Sequence, residues 1–249
     1  MKKIAFTNQK GGVGKTTSTV NVGAGLSLMG KKVLLIDLDP QANLTYSLKM
    51  RTSRLDKTVY SVLKGEADAR DVIVPHGDFD LMPASLELSG AELELANEPA
   101  RECLLRDAID VLYEYDYILV DCPPNLGLLT LNAFTAVEEV IIVLQSEYLA
   151  LHGLSKLMNV IEVVQKRLNS NLEVRGIICT LYDNRKNLNR EVVGHIREHF
   201  GSKVFETVIR DNVALAEAPS HHKTIFEYDD GSHGAEDYLK LAREIRNGY

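Results

Sequence analysis

The stretch Asn8-Gln9-Lys10-Gly11-Gly12-Val13-Gly14-Lys15-Thr16-Thr17 gathers the residue types that hold a polyphosphate. Gly11, Gly12 and Gly14 open backbone angles closed to other residues, so successive N–H groups can converge on one anion. Lys15 adds a cation for the β- and γ-phosphates, and the Thr16 hydroxyl is of the kind that holds Mg²⁺. The common loop G-x-x-x-x-G-K-[ST] requires glycine at position 9. Gln9 stands there instead, and an additional lysine, Lys10, precedes the glycines.

Three carboxylates extend this chemistry. Asp37 and Asp39 close the run "KVLLIDLD", at the carboxyl end of a strand, where ligands bind in open α/β sheets. Asp121 closes "YILVD", and because Mg²⁺ keeps several of its waters, such an aspartate suits a metal-bound water better than the ion itself. Carboxylates at strand ends are also common local caps, and that alternative stands beside the catalytic one. Pro123-Pro124 then fix a turn suited to sensing a γ-phosphate.

These residues need a scaffold that brings strand ends together. Nearly unbroken apolar runs at 3–7, 32–38, 116–122, 139–145 and 174–181 read as strands buried on both faces, with a shorter one at 79–83. Helical patterns fill 15–29, 86–96, 101–114, 127–137, 154–168 and 188–199. The alternation predicts a doubly wound, mostly parallel α/β sheet flanked by helices, as one P-loop ATPase domain over residues 1–249. Residues 43–75 are the least regular and read as an insertion over the site. A final helix at 234–246, with Leu239, Ala242 and Ile245 on one stripe, is expected to dock rather than lie on a membrane, since its apolar face is small and it carries Glu236, Asp237 and Glu244.

"KGGVGKTT" resembles the deviant phosphate loop of the ParA/MinD class of P-loop ATPases, and "NQKGGVGKTT" is more similar to the ParA/Soj partition branch than to the MinD branch. "VLLIDLDPQAN", "YDYILVDCPPNLGLLTLNA", "EYLALHGLSKL" and "EAPSHHKTIFEYD" match that branch in order, over nearly the whole chain. The resemblance implies that Lys10 crosses a homodimer interface to the other subunit's phosphates, that Val13 and Thr17 complete the loop's nucleotide contacts, and that Asp39 positions the attacking water. It places Asp37 and Asp121 with Thr16 in the magnesium shell. It puts adenine between "TLYDN" and "EAPS", with Asp183 and Pro219 as contacts. It implies ATP and Mg as cofactors, a ParB-like stimulating partner, and nonspecific DNA bound through Lys186, Arg190, Arg197 and Arg210. Ile209, Asp211 and Ala214 depart from the branch toward weaker DNA binding. An alternative is a MinD-like or cargo-positioning ATPase acting on a membrane or protein scaffold.

Bulk properties bound the rest. At 249 residues with 45% hydrophobic and 25% charged content, the chain is of ordinary globular character. Its net charge of −7 gives no global attraction to nucleic acid, so a DNA contact has to come from a local basic face. Residues 66–116 are mostly acidic, whereas 185–210 are relatively basic. The opening Met1-Lys2-Lys3 leads into a short apolar run, not a secretory leader, and the expected location is cytoplasmic, with nucleoid association in the ATP state. Cys103, Cys122 and Cys179 are widely spaced and read as buried thiols rather than a disulfide framework, a zinc site or a cluster site.

Overall fold

Successive side chains along each central strand feed two separate cores. Ala5, Leu34, Ile36, Ile118, Val120, Ile142 and Leu144 enter one; Ile4, Phe6, Leu35, Leu119, Ile141 and Val143 enter the other. Period-two alternation between two apolar faces is what a sheet covered on both sides demands. The computed structural model describes residues 1–49, 57–147 and 150–248.

The strands are β1 (Lys2–Thr7), β2 (Val33–Asp37), β3 (Val74–His76), β4 (Phe79–Met82), β5 (Tyr117–Asp121), β6 (Glu139–Gln145) and β7 (Glu173–Thr180). They form one seven-stranded sheet in the order β3-β4-β2-β5-β1-β6-β7. All pairings are parallel except that of β3 with β4. The edge strand β3 was not anticipated; it is three residues long and carries Pro75, which only an edge tolerates. Register aligns Phe6 with Asp121, and Asp37 with Asp121, so the β1, β2 and β5 ends open at one level.

The helices are α1 (Lys15–Leu28), α2 (Asn43–Ser47), α3 (Val59–Leu63), α4 (Ala69–Val72), α5 (Ala91–Glu94), α6 (Leu104–Ile109), α7 (Leu128–Ala136), α8 (Ala150–Arg167), α9 (Asn187–Phe200), α10 (Val213–Glu217), α11 (Ile225–Tyr228) and α12 (His233–Asn247). Two expected helices are broken. Residues 86–97 form 3₁₀ turns around the single turn of α5, and Glu98 is extended because Pro99 follows it. Ala100 then takes φ 52°, so α6 starts at Leu104 and stops at Ile109. Of the irregular stretch 43–75, α2, α3 and α4 are helical, whereas 50–56 lie outside the described residues.

The terminal helix α12 docks, as expected, and does so on α1, by a stripe that keeps Ala242 and Ile245 but takes Leu241 in place of Leu239. Ala235, Tyr238, Leu241, Ala242 and Ile245 are buried, and Leu239 is only half-buried. The approach is close enough that a Cβ on Gly25 of α1 would stand 2.9 Å from the Ala242 methyl. No helix among the described residues is long and apolar enough to cross a membrane.

Gly25→Val forces α1 and α12 apart and is expected to cost about 1–3 kcal/mol, the usual penalty for overpacking. Urea unfolding measures it; an unchanged midpoint would show that this contact does not hold the two helices.

Candidate active site

The loop leaving β1 turns back over the sheet because Gly12 (φ 73°) and Gly14 (φ 89°) occupy the left-handed region. Gly14 sits at the N-terminal cap of α1, so the first free N–H groups of a fourteen-residue helix face the loop's concavity. The last residue of β7 anchors the loop from beneath: Thr180 Oγ1 donates to the carbonyls of Val13 (2.7 Å) and Leu144 (3.1 Å). Lys15 is buried, and its ammonium donates to the Lys10 carbonyl at 3.3 Å.

A cleft of about 900 Å³ opens above this loop. Gly11, Gly12, Gly14, Lys15, Thr16 and Thr17 line it from the loop, and Asp39 and Pro124 line it as well. Val13 is buried and shapes the loop from within. Ile209 to Asn212, Leu215 and Pro219 form the far wall. Pro219, expected as a base contact, thus lines the cleft. Asp183 does not line the cleft: its carboxylate faces Arg185 at 3.0 Å, which holds its pKa below the usual carboxylate range.

Asp37 and Asp121 are fully buried on adjacent strands. Asp121 Oδ2 accepts from the Thr16 hydroxyl at 2.6 Å, while its Oδ1 is buried with no hydrogen-bond partner among the described residues. Both oxygens of Asp37 serve the next loop: Oδ2 accepts from the Thr45 amide (2.8 Å) and hydroxyl (2.6 Å), and Oδ1 from the Asp39 amide (3.2 Å). The capping alternative thus describes what Asp37 does here. Burial raises its pKa to about 6 against the hydrogen bonds from Thr45. Burial, and then the charge of Asp37, raise Asp121 well above the usual value. A hydroxyl beside two desolvated carboxylates, one with an orphaned oxygen, is an all-oxygen donor set that fits Mg²⁺.

Lys10 directly precedes the cleft-lining Gly11 and is half exposed. Its ammonium donates to Gln145 Oε1 (2.9 Å) and Glu147 Oε2 (2.7 Å), both just past the end of β6 or closing it. Glu147 opens the expected "EYLALHGLSKL" match, of which residues 148 and 149 lie outside the described residues. The second turn, 123–127, is secured by Glu92, whose Oε1 accepts from the Leu128 amide at the start of α7 (3.0 Å).

The basic residues divide. Lys186 caps α9, and Arg190 and Arg197 lie along it, bonded to the carbonyls of Asn184 and Glu206. Arg210 is elsewhere, on the cleft wall and paired with Asp237 at 2.5 Å. Thr45, Thr180, Glu92 and Asp237 were missed. Thr180 ends an apolar strand beside the loop, a readable signal; the other three depend on long-range contacts that no local pattern announces.

A strand, glycine-rich loop and helix over strand-end carboxylates define a P-loop nucleoside triphosphatase with a deviant loop. A family model described as "AAA domain" matches residues 1–174, and one described as "4Fe-4S iron sulfur cluster binding proteins, NifH/frxC family" matches residues 103–249. Sporulation initiation inhibitor protein Soj of Bacillus subtilis is 49% identical, over 98% of both chains. Chromosome partitioning protein ParA of Caulobacter vibrioides is 44% identical, over 98% of this chain and 94% of its own. The crystal structure of cobyrinic acid a,c-diamide synthase from Mycobacterium smegmatis with bound ADP and magnesium superposes with TM-score 0.88 at 34% identity, over 99% and 94% of the two chains. The chain belongs to the ParA/Soj family of partition ATPases, and it is an ATPase. Its three cysteines are buried free thiols, and no group of three metal-binding side chains occurs among the described residues.

Because Asp37 holds its proton in the folded state up to about pH 6, against about 4 when unfolded, the folded chain binds more protons between those values. Its contribution is therefore complete below pH 4 and falls by up to about 3 kcal/mol as pH rises to 6. Urea unfolding in EDTA should show the stability of the parent declining relative to Asp37→Asn between pH 4 and 6. A constant difference would place the titration elsewhere.

Proposed function

We propose that this chain is an ATP-dependent dimerising switch of the partition type. ATP binds in the 900 Å³ cleft with its phosphates on the loop 11–17 and its base against the wall that includes Pro219. Thr16 would hold Mg²⁺ directly and Asp121 through bound water, with Asp37 supporting the shell; the ion supplies charge neutralisation on the β- and γ-phosphates. Lys15 binds the same phosphates, Asp39 orients the attacking water, and the turn at Pro123-Pro124 follows the loss of the γ-phosphate.

The observation that carries this reading is the position of Lys10. This residue, next in sequence to the cleft-lining Gly11, is half exposed, and its ammonium bonds to Gln145 and the exposed Glu147 in its own chain. An exposed pair of this kind contributes at most about 1 kcal/mol, so it yields readily to a triphosphate presented by a second copy. Two nucleotides brought face to face concentrate negative charge, and a lysine from each protomer offsets it as an arginine finger does.

The ATP dimer binds DNA nonspecifically through Lys186, Arg190 and Arg197, associates with the nucleoid, and hydrolyses slowly until a ParB-like protein stimulates it. Support comes from the basic run on α9 and from the family. Glu191 and Glu198, exposed on the same helix, keep this contact weak.

Light scattering is expected to show a dimer with ATP and a monomer with ADP, and a monomer in both states for Lys10→Ala. Asp39→Ala should dimerise yet lose at least tenfold in turnover. A Lys10→Ala protein that dimerises normally would end the trans-lysine reading. In a DNA mobility assay at varied salt, Arg190→Ala and Arg197→Ala should each flatten the log-log slope by roughly 0.9. An unaltered slope in both would move the DNA contact away from α9.

A further inference from the structure

The wall of the cleft opposite the phosphate loop is a chain segment without regular structure of its own. From Val204 to Asp211 it runs beside β7, touching it through isolated bridges at Ile177 with Val204 and Tyr182 with Arg210. The Ile209 amide donates to the Cys179 carbonyl (2.8 Å) and the Asp211 amide to the Tyr182 carbonyl (2.9 Å). Three other amides of this segment bond to acids of α12 instead. The Arg210 amide donates to Asp237 Oδ2 (3.0 Å), and the Glu206 and Thr207 amides donate to Glu244 (3.0 Å each).

Asp237 is placed unlike a surface carboxylate. It is buried, between Ala235 and Tyr238 on the docked side of α12, where an unpaired charge is costly. It meets that cost by also accepting from the Arg210 side chain, through Nε (2.9 Å to Oδ2) and Nη2 (2.5 Å to Oδ1). Glu236 takes a further bond from Nη2 at 2.6 Å. The fork geometry fixes both the backbone and the side chain of Arg210, and a bidentate pair is stiffer than a point contact. Residues 209–212 continue directly from this anchor along the cleft wall. The next residue of α12, Tyr238, bonds through its hydroxyl to Ser18 of α1 (3.0 Å), so one helix holds both sides of the cleft.

We propose that Asp237, acting through Arg210, is a positioning residue for the bound nucleotide, fixing the cleft wall at residues 209–212, and that Arg210 serves this anchor and not DNA. The inference rests on the cleft being the nucleotide site. Glu244, two turns further along the helix, holds only the approach to the wall and provides an internal comparison.

The test measures KM and kcat for ATP, and the affinity of a fluorescent ATP analogue, in the full chain. Asp237→Ala and Arg210→Ala are each expected to raise KM about tenfold with kcat changed less than twofold, and the double variant should be no worse than the poorer single one. Asp237→Asn, which keeps an acceptor for the Arg210 amide, should fall between; it and Arg210→Ala carry the test should Asp237→Ala not fold. Glu244→Gln should lower the melting temperature at constant KM, as a merely structural contact would. Lys15→Ala, which probes the cleft itself, should lose analogue binding. If Asp237→Asn and Arg210→Ala keep the parent KM, or if their effects add in full, the proposal is overturned. It is likewise overturned if Arg210→Ala weakens DNA binding at saturating ATP while leaving KM unmoved.

Discussion

Two carboxylates lie side by side at the ends of adjacent parallel strands, Asp37 and Asp121, with no access to water. Much of the site can be understood as compensation for that charge. The Thr16 hydroxyl comes from the start of α1, and the Thr45 amide and hydroxyl come from α2. The loops after β1 and β2 are consequently tied to the same pair of acids, and neither moves without disturbing the other. Thr45 Oγ1 also accepts from the Ala84 amide (2.9 Å), which extends the coupling to the segment beyond β4. A cation at this point relieves electrostatic strain already present in the fold.

The strands were legible because a sheet covered on both faces leaves an unbroken apolar record, and all but the short edge strand stood out. The phosphate loop was legible because its function requires glycines and a lysine at close spacing, a local constraint. The segments 86–96 and 101–114 misled because their apolar spacing is helical while Pro99 and the φ of Ala100 interrupt the backbone. For Asp37, the sequence showed a carboxylate at a strand end but not the partner eight residues on that claims its oxygens. Asp183 read as a base contact by resemblance, yet an arginine two residues away takes its carboxylate.

Counting cations along a chain says little about which ones face solvent with charge to offer. Arg190 and Arg197 stand on an exposed helix, and their hydrogen bonds go to carbonyls and an amide oxygen, neutral acceptors that do not cancel the positive charge. Arg210 belongs to the same basic stretch in sequence but meets two carboxylates. The acids responsible come from a helix more than twenty residues later. On α12 the same pattern hid Asp237, since one acid in an amphipathic helix reads as part of the wet face until the fold shows what it touches.

The position of β1 has a bearing on how the chain is made. This strand precedes the other strands of the sheet in sequence, yet its neighbours are β5 and β6, whose pairing with it begins at Tyr117 and Glu139. Its apolar faces therefore wait, unpaired, while more than a hundred further residues leave the ribosome. Contacts this distant in sequence slow folding and leave early segments open to misassociation. The glycine-rich loop gains its β7 anchor, Thr180, later still, so the emerging chain cannot complete this site until β7 has been translated.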